Sequence, residues 1–144
     1  MRGEDYRGFD YYGRTKLADL LLSRELEGHF RRAGADSVSV AAHPGFTATG
    51  IVGSGFAGLP AFVRPVANWG MGTLGQRVEL GALPILYAAT APEVAGGDYF
   101  GPRGLLGLRG YPGRAKRSAE SRSDRLGETL VRVVAELTGL AAPA

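Results

Sequence analysis

From Tyr11 to Arg32 apolar residues recur with the period of a helix. Leu17, Leu20, Leu21 and Phe30, with Ala18 and Leu22 alongside, make a broad apolar face, while Arg24, Glu25, Glu27 and Arg31 fill the polar positions. Asp10 is suited to cap this helix, Arg31 and Arg32 suit the negative end of its dipole, and Gly34 marks its stop. The stretch Ser37-Val38-Ser39-Val40-Ala41-Ala42 then reads as a buried strand that ends abruptly at His43-Pro44-Gly45. A helix, a short turn and a buried strand form the second half of a βαβ unit.

Residues 46–73 carry Phe46, Phe56, Phe62, Trp69 and Met71 among many glycines, with Arg64 as their only charge, and predict a long loop with short helical pieces. A second helix is predicted from about Leu74 to Thr90. Val78, Ala82, Ile85, Leu86 and Ala89 share one face there, and Pro84 is placed to kink it. Gly97-Asp98-Tyr99-Phe100-Gly101-Pro102 reads as a short strand between breakers. Residues 103–125 read as an exposed basic loop. Ser121 to Gly139 is an amphipathic helix with the stripe Leu126, Leu130, Val133, Val134 and Leu137. Ser121 with Asp124 resembles a capping box there, and Gly139 is the stop. No internal repeat is present.

Composition narrows the class. Hydrophobic residues make 44% and charged residues 22% of 144, which excludes a wholly disordered chain. The 23 glycines far exceed the usual share of about 7% and predict loops and close backbone approaches. The absence of cysteine removes disulfides, thiolate metal sites and a cysteine nucleophile, and fits a reducing, cytoplasmic compartment. Met1 to Asp10 lacks the apolar core of a secretory signal, and the longest uncharged run, Pro44 to Val63, is too broken by glycine and proline to span a membrane. A net charge of +3 implies no nucleic-acid partner, and the local excess of cations over 103–125 reads as a solvated loop. Of the 17 cations only Lys16 and Lys116 are lysine, so each lysine is informative.

The chemistry points to Tyr12 and Lys16. Four residues apart, they project from one helix face. A phenol titrates near pH 10, too high for proton transfer near neutrality. An adjacent ammonium favours the phenolate, so the pair suits moving a proton to or from a carbonyl or alcohol oxygen. The slim lysine head can also donate to a sugar hydroxyl. His29 reads as solvated and His43 as a structural hydrogen-bonding residue; two lone histidines without clustered carboxylates make no metal site. Gly53-Ser54-Gly55-Phe56-Ala57-Gly58, with Glu79 downstream, fits a dinucleotide fingerprint in letters only. No strand leads into it and Pro60 follows, so it reads as flexible loop.

Tyr12-Gly13-Arg14-Thr15-Lys16, then His43-Pro44-Gly45-Phe46-Thr47-Ala48-Thr49, Gly81-Ala82-Leu83-Pro84 and Gly97-Asp98-Tyr99-Phe100-Gly101-Pro102 together resemble the short-chain dehydrogenase/reductase family, in its retinol-dehydrogenase-like branch. The resemblance covers nearly the whole chain and is thinnest over residues 50–75. It implies an α/β fold, the helix-rich carboxyl-terminal portion of a Rossmann-like doubly wound parallel sheet. In that reading residues 1–144 form a single partial domain: a catalytic helix at 11–32, a strand and Pro-Gly turn at 37–49, and a substrate-loop-like segment at 50–73. A helix and last strand at 74–102 and a basic loop with terminal helix at 103–144 complete it.

The resemblance also implies roles. Tyr12 would be the acid/base and would also meet the NAD or NADP cofactor, whose ribose Lys16 would hold. The cofactor would further meet Pro44, Gly45, the backbone near Thr47, and Thr49. Ligands of parallel α/β sheets lie beyond the carboxyl ends of strands, where this turn falls. Thr15 stands where the branch usually has serine, and Thr47 where a β-branched aliphatic is common. The family's glycine-rich turn and catalytic serine precede the tyrosine, and this chain does not contain them. Three readings follow. One is an oxidoreductase acting on a small carbonyl or alcohol substrate. Another is a truncated, non-catalytic fragment acting as an association module. A third makes Met1 a misplaced start of a longer enzyme. The family also implies a homo-oligomer joined through helices 11–32 and 74–90.

Overall fold

A computed structural model describes residues 8–47 and 75–140. The predicted long loop after Thr47, its glycine motif and its aromatic residues lie outside them. The described residues form a mixed α/β, helix-rich fold: α1 (Gly8–Arg32), β1 (Ala41–Ala42), α2 (Val78–Thr90), β2 (Tyr99–Pro102), β3 (Pro112–Arg114) and α3 (Asp124–Thr138), with 3-10 turns at Leu105–Gly107 and Glu120–Arg122. The chain divides into two compact units, and the division falls within β1.

The first unit comprises 1–41, 95–98 and 116–144. Its α1 begins at Gly8, so Asp10 lies within the first turn rather than capping it; there it still favours the positive end of the dipole. The far end stops as the sequence predicts. Gly34 takes φ 62°, its N–H reaches the Arg31 carbonyl at 3.2 Å, and the Ala35 N–H reaches the Phe30 carbonyl at 3.0 Å, which together close a Schellman motif. Of the predicted face, Leu21 is buried and Leu17, Leu20 and Phe30 are half-buried, while Leu22 is exposed. This face packs on α3 and on the Glu120–Arg122 turn. α3 is capped by Ser123, whose Oγ accepts the Leu126 N–H at 3.4 Å, and not by Ser121; Gly139 at φ 69° closes it. Ser121 is instead fully buried and donates to the Ser118 carbonyl at 2.9 Å.

Glu27 is the polar anchor of this unit. It is buried, and its two carboxylate oxygens accept from the Ser39 N–H at 2.9 Å and the Arg31 guanidinium at 2.7 Å. Those bonds hold its carboxyl below the ordinary range, the Ser39 N–H contributing most. Arg31 also donates to the Gly96 carbonyl at 3.1 Å, and a side chain at Gly96 would collide with the Glu27 carboxylate. α1 is thereby tied to the segments that lead into β1 and β2.

The predicted strand at 37–42 shortens to Ala41–Ala42. Its ladder nonetheless steps up both strands together. The Gly97 N–H reaches the Ser39 carbonyl and the Ala41 N–H the Asp98 carbonyl; in the second unit the His43 N–H reaches the Phe100 carbonyl. Bonds that ascend both chains in step are parallel pairing. β2 falls where the sequence predicts it. β3 corrects the reading of 103–125 as one exposed loop: it pairs antiparallel with β2, Gly101 opposite Gly113 and Pro102 opposite Pro112. The sheet, in the order β1-β2-β3, is therefore mixed rather than all parallel.

The second unit comprises 42–94 and 99–115. Phe100 is its fully buried centre, with the Tyr87 ring edge-on at 5.2 Å. α2 packs on β2 and β3, starts at Val78 rather than Leu74, and continues through Pro84 to Thr90. It buries Gly81, Pro84 and Ala88, whereas Val78, Ile85 and Leu86 are each more than half exposed. The predicted apolar stripe is thus the outer face.

Candidate functional site

Tyr12 and Lys16 stand one turn apart on α1, as the spacing predicts. The Lys16 Nζ lies 5.8 Å from the centroid of the Tyr12 ring. Tyr12 is 61% exposed, and the Thr15 hydroxyl donates to its carbonyl at 2.8 Å. The ammonium is not addressed to tyrosine alone. It donates to Asp19 at 2.8 Å, and this hydrogen bond, then the carboxylate's charge, holds Lys16 above the ordinary lysine value; Tyr12 adds a smaller contribution. Asp19 carries no mark in the sequence beyond its spacing, an acid three residues after a lysine on a helix being within reach of it.

In the other unit, Pro44, Gly45 and Thr47 come together in a heavily braced turn at the carboxyl end of β1. The Gly45 N–H donates to His43 Nδ1 at 3.2 Å and the Phe46 N–H to the Leu108 carbonyl at 2.7 Å. The Pro44 carbonyl accepts from Gln76 Nε2 at 2.6 Å and from the Thr47 hydroxyl at 3.4 Å. Gln76 is buried, takes the Gly110 N–H on its Oε1 at 2.9 Å, and donates its own N–H to the Phe46 carbonyl at 2.9 Å. Thr47 and Gln76 form a parallel bridge through that carbonyl, so the N–H of Thr47 itself points to the other side of the strand. Gly81 admits Thr47 to α2: a β-carbon there would stand 2.5 Å from its hydroxyl. Nothing in the sequence marks Gln76, since its role depends on segments about thirty residues away on either side. Thr49 lies outside the described residues. Tyr12 and Lys16 belong to one unit and the turn to the other.

His43 is the structural residue the sequence suggested. Its ring lies 5.2 Å from that of Tyr99, and β2 leaves room for it because residue 101 is glycine. Burial pushes its pKa below the usual 6.5. A depressed folded value means the unfolded chain takes the proton first as pH falls. Stability from His43 is thus full above pH 6.5, declines below it, and levels off beneath the folded value. Protonation also puts a hydrogen on Nδ1, which then cannot accept the Gly45 N–H. Glu27, with its depressed carboxyl, acts in a separate window below about pH 4.5. We expect denaturant stability to fall as pH drops below 6.5, and His43→Asn to remove that slope; an unchanged slope in the variant would assign it elsewhere.

Among the described residues no group of three or more histidines and carboxylates could hold a metal ion, and no helix is long and apolar enough to cross a membrane. Neither a protein-family model nor a curated protein matches the chain. Among solved structures it is similar to an uncharacterized protein from Mycobacterium Paratuberculosis, 25% identical with a TM-score of 0.67, over 99% of this chain and 44% of that one. The chain therefore spans less than half the length of that relative.

Proposed function

We propose that this chain is the carboxyl-terminal, Rossmann-like part of an NAD(P)-dependent oxidoreductase of the short-chain dehydrogenase/reductase type. The observation that carries the reading is the Tyr12–Lys16 pair, an exposed phenol with an ammonium 5.8 Å from its ring. The parallel β1–β2 pairing and the Pro44–Gly45 turn at the end of β1 support it.

Lys16 has three ammonium donors, one directed at Asp19, and the others would hold ribose hydroxyls of such a cofactor. In the resemblance the backbone near Thr47 meets the carboxamide, and the nicotinamide supplies or accepts the hydride. Tyr12 gives its proton to the carbonyl oxygen in reduction and takes one from the hydroxyl in oxidation. The pyrophosphate finds no cradle in the turn, because the N–H groups of Gly45 and Phe46 are already engaged by His43 and Leu108. The 144-residue chain alone is therefore expected to bind neither NADH nor NADPH with micromolar affinity. The test of function is NAD(P)H-dependent reduction of a carbonyl panel by the longest polypeptide the reading frame encodes. Cofactor-dependent turnover supports the proposal, and its absence across the panel with cofactor bound overturns it.

A second reading, an association module, is favoured by the face of α2 that leaves Val78, Ile85 and Leu86 exposed. Contiguous aliphatic side chains of this kind mark association surfaces. Joined to a second copy through this helix, the chain would be a homo-oligomer. Replacing Ile85 and Leu86 together by glutamate is expected to shift the chain to monomer in sedimentation equilibrium. A wild-type chain that is already monomeric removes this reading.

A further inference from the structure

The connection between β2 and β3 braces the Pro44–Gly45 turn through the Leu108 carbonyl and, by way of Gln76, the Gly110 N–H, but Leu106 at its tip makes none of these bonds. It runs from Arg103 to Tyr111, and it is held rigidly from within. The Arg103 N–H reaches the Tyr111 carbonyl at 2.8 Å, the Gly104 N–H the Arg109 carbonyl at 2.9 Å, and the Gly107 N–H the Gly104 carbonyl at 3.0 Å. Its base is fastened by Gln76 to the Gly110 N–H. At the tip stands Leu106, the only non-glycine residue with positive φ (54°) among the described residues, and its side chain is 85% exposed. A branched aliphatic side chain gains nothing locally from a left-handed backbone and full contact with water. Both features oppose stability, and strain of this kind collects where another molecule is engaged. Leu108 and Tyr111 are exposed beside it, Tyr111 at 74%.

The charges define the partner. From Tyr99 to Ala115 there is no acidic residue, and Arg103, Arg109 and Arg114 are exposed. Arg114 has Glu93 in its field and the Arg103 side chain lies back across Gly113 at the base of the turn, which leaves Arg109 as the cation beside the tip. A rigid turn with an aliphatic point, a tyrosine that is apolar in body and polar at its end, an adjacent guanidinium group and no acidic residue matches the boundary between lipid tails and anionic headgroups. We propose that the Arg103–Tyr111 turn docks this protein on an anionic lipid surface, with Leu106 entering the acyl boundary and Arg109 on a lipid phosphate.

The test is co-sedimentation of the 144-residue chain with vesicles of phosphatidylcholine alone or with phosphatidylglycerol added. Binding is expected to the anionic vesicles, to weaken in high salt as the charges are screened, and to be about ten-fold weaker for Leu106→Gly. Glycine relieves the positive φ, so this variant folds at least as well as the parent, and circular dichroism confirms it. Leu106→Phe, equally apolar, is expected to bind as the parent does. Equal binding to neutral and anionic vesicles, or anionic binding that ignores Leu106→Gly, would overturn the proposal. So would soluble polyglutamate binding as tightly as the vesicles, which would assign the surface to an acidic protein.

Discussion

Gly45→Ala is expected to lower the melting temperature of the chain by roughly 10 °C. Two costs add. Residue 45 sits at φ 69°, where a β-carbon costs about 1–2 kcal/mol. That carbon would also stand 2.5 Å from the Leu108 carbonyl oxygen, 2.6 Å from Pro102 Cγ and 2.9 Å from the Leu108 carbonyl carbon. Two of these are backbone atoms fixed by the Phe46–Leu108 hydrogen bond, so the strand end must move, at about 1–3 kcal/mol more. Gly34→Ala is the matched control. Its φ is 62°, yet nothing lies within 4 Å of its added carbon, so only the conformational cost applies, worth roughly 3 °C. Calorimetry on the two variants separates strain from collision. Equal losses would mean that the turn is not packed against Leu108.

The parts of the fold that were legible in the sequence are those whose signals are local. α1 announced itself by period and by its Gly34 stop, α3 by its stripe and Gly139, and β2 by a short apolar run between breakers. The parts that were not legible depend on distant partners. β3 is written Pro112-Gly113-Arg114, a composition that reads as loop. It becomes a strand because Gly113, paired with Gly101, leaves the space the Arg103 side chain occupies, and because an edge strand tolerates proline. α2 was recognised as a helix but read inside out. Its large aliphatics suggested the core face, whereas Gly81 and Pro84 are buried in their place, Gly81 giving the space that Thr47 occupies. Periodicity weights large apolar residues and is blind to close approach by small ones.

The candidate site divides in the same way. Tyr12 and Lys16 were legible because four residues on a helix place two side chains on one face whatever else the fold does. The Pro44–Gly45 turn was legible as a turn, but not the way it is held. Gln76 and Leu108 come to it from two separate segments and join the neighbouring His43, and no local pattern records their meeting. Asp19 lay in plain view in the sequence. Its effect on Lys16 is visible only with the side chains in place.

The second large effect belongs to the phenol. Removing one hydroxyl from Tyr12 takes away the group proposed to move the proton and leaves the ring, α1 and Lys16 in place. General acid–base contributions run from about 10²- to 10⁴-fold, so Tyr12→Phe is expected to cost at least about 10²-fold in kcat. Cofactor affinity should change little, because the Lys16 ammonium, rather than the phenol, is the group proposed to hold the ribose. Lys16→Met should instead weaken cofactor binding as well as turnover.

The most direct measurement is therefore kcat beside the cofactor dissociation constant for Tyr12→Phe, made on the longest polypeptide the reading frame encodes. Turnover is expected to be lost with the cofactor still bound. Turnover retained at the parental level would contradict it.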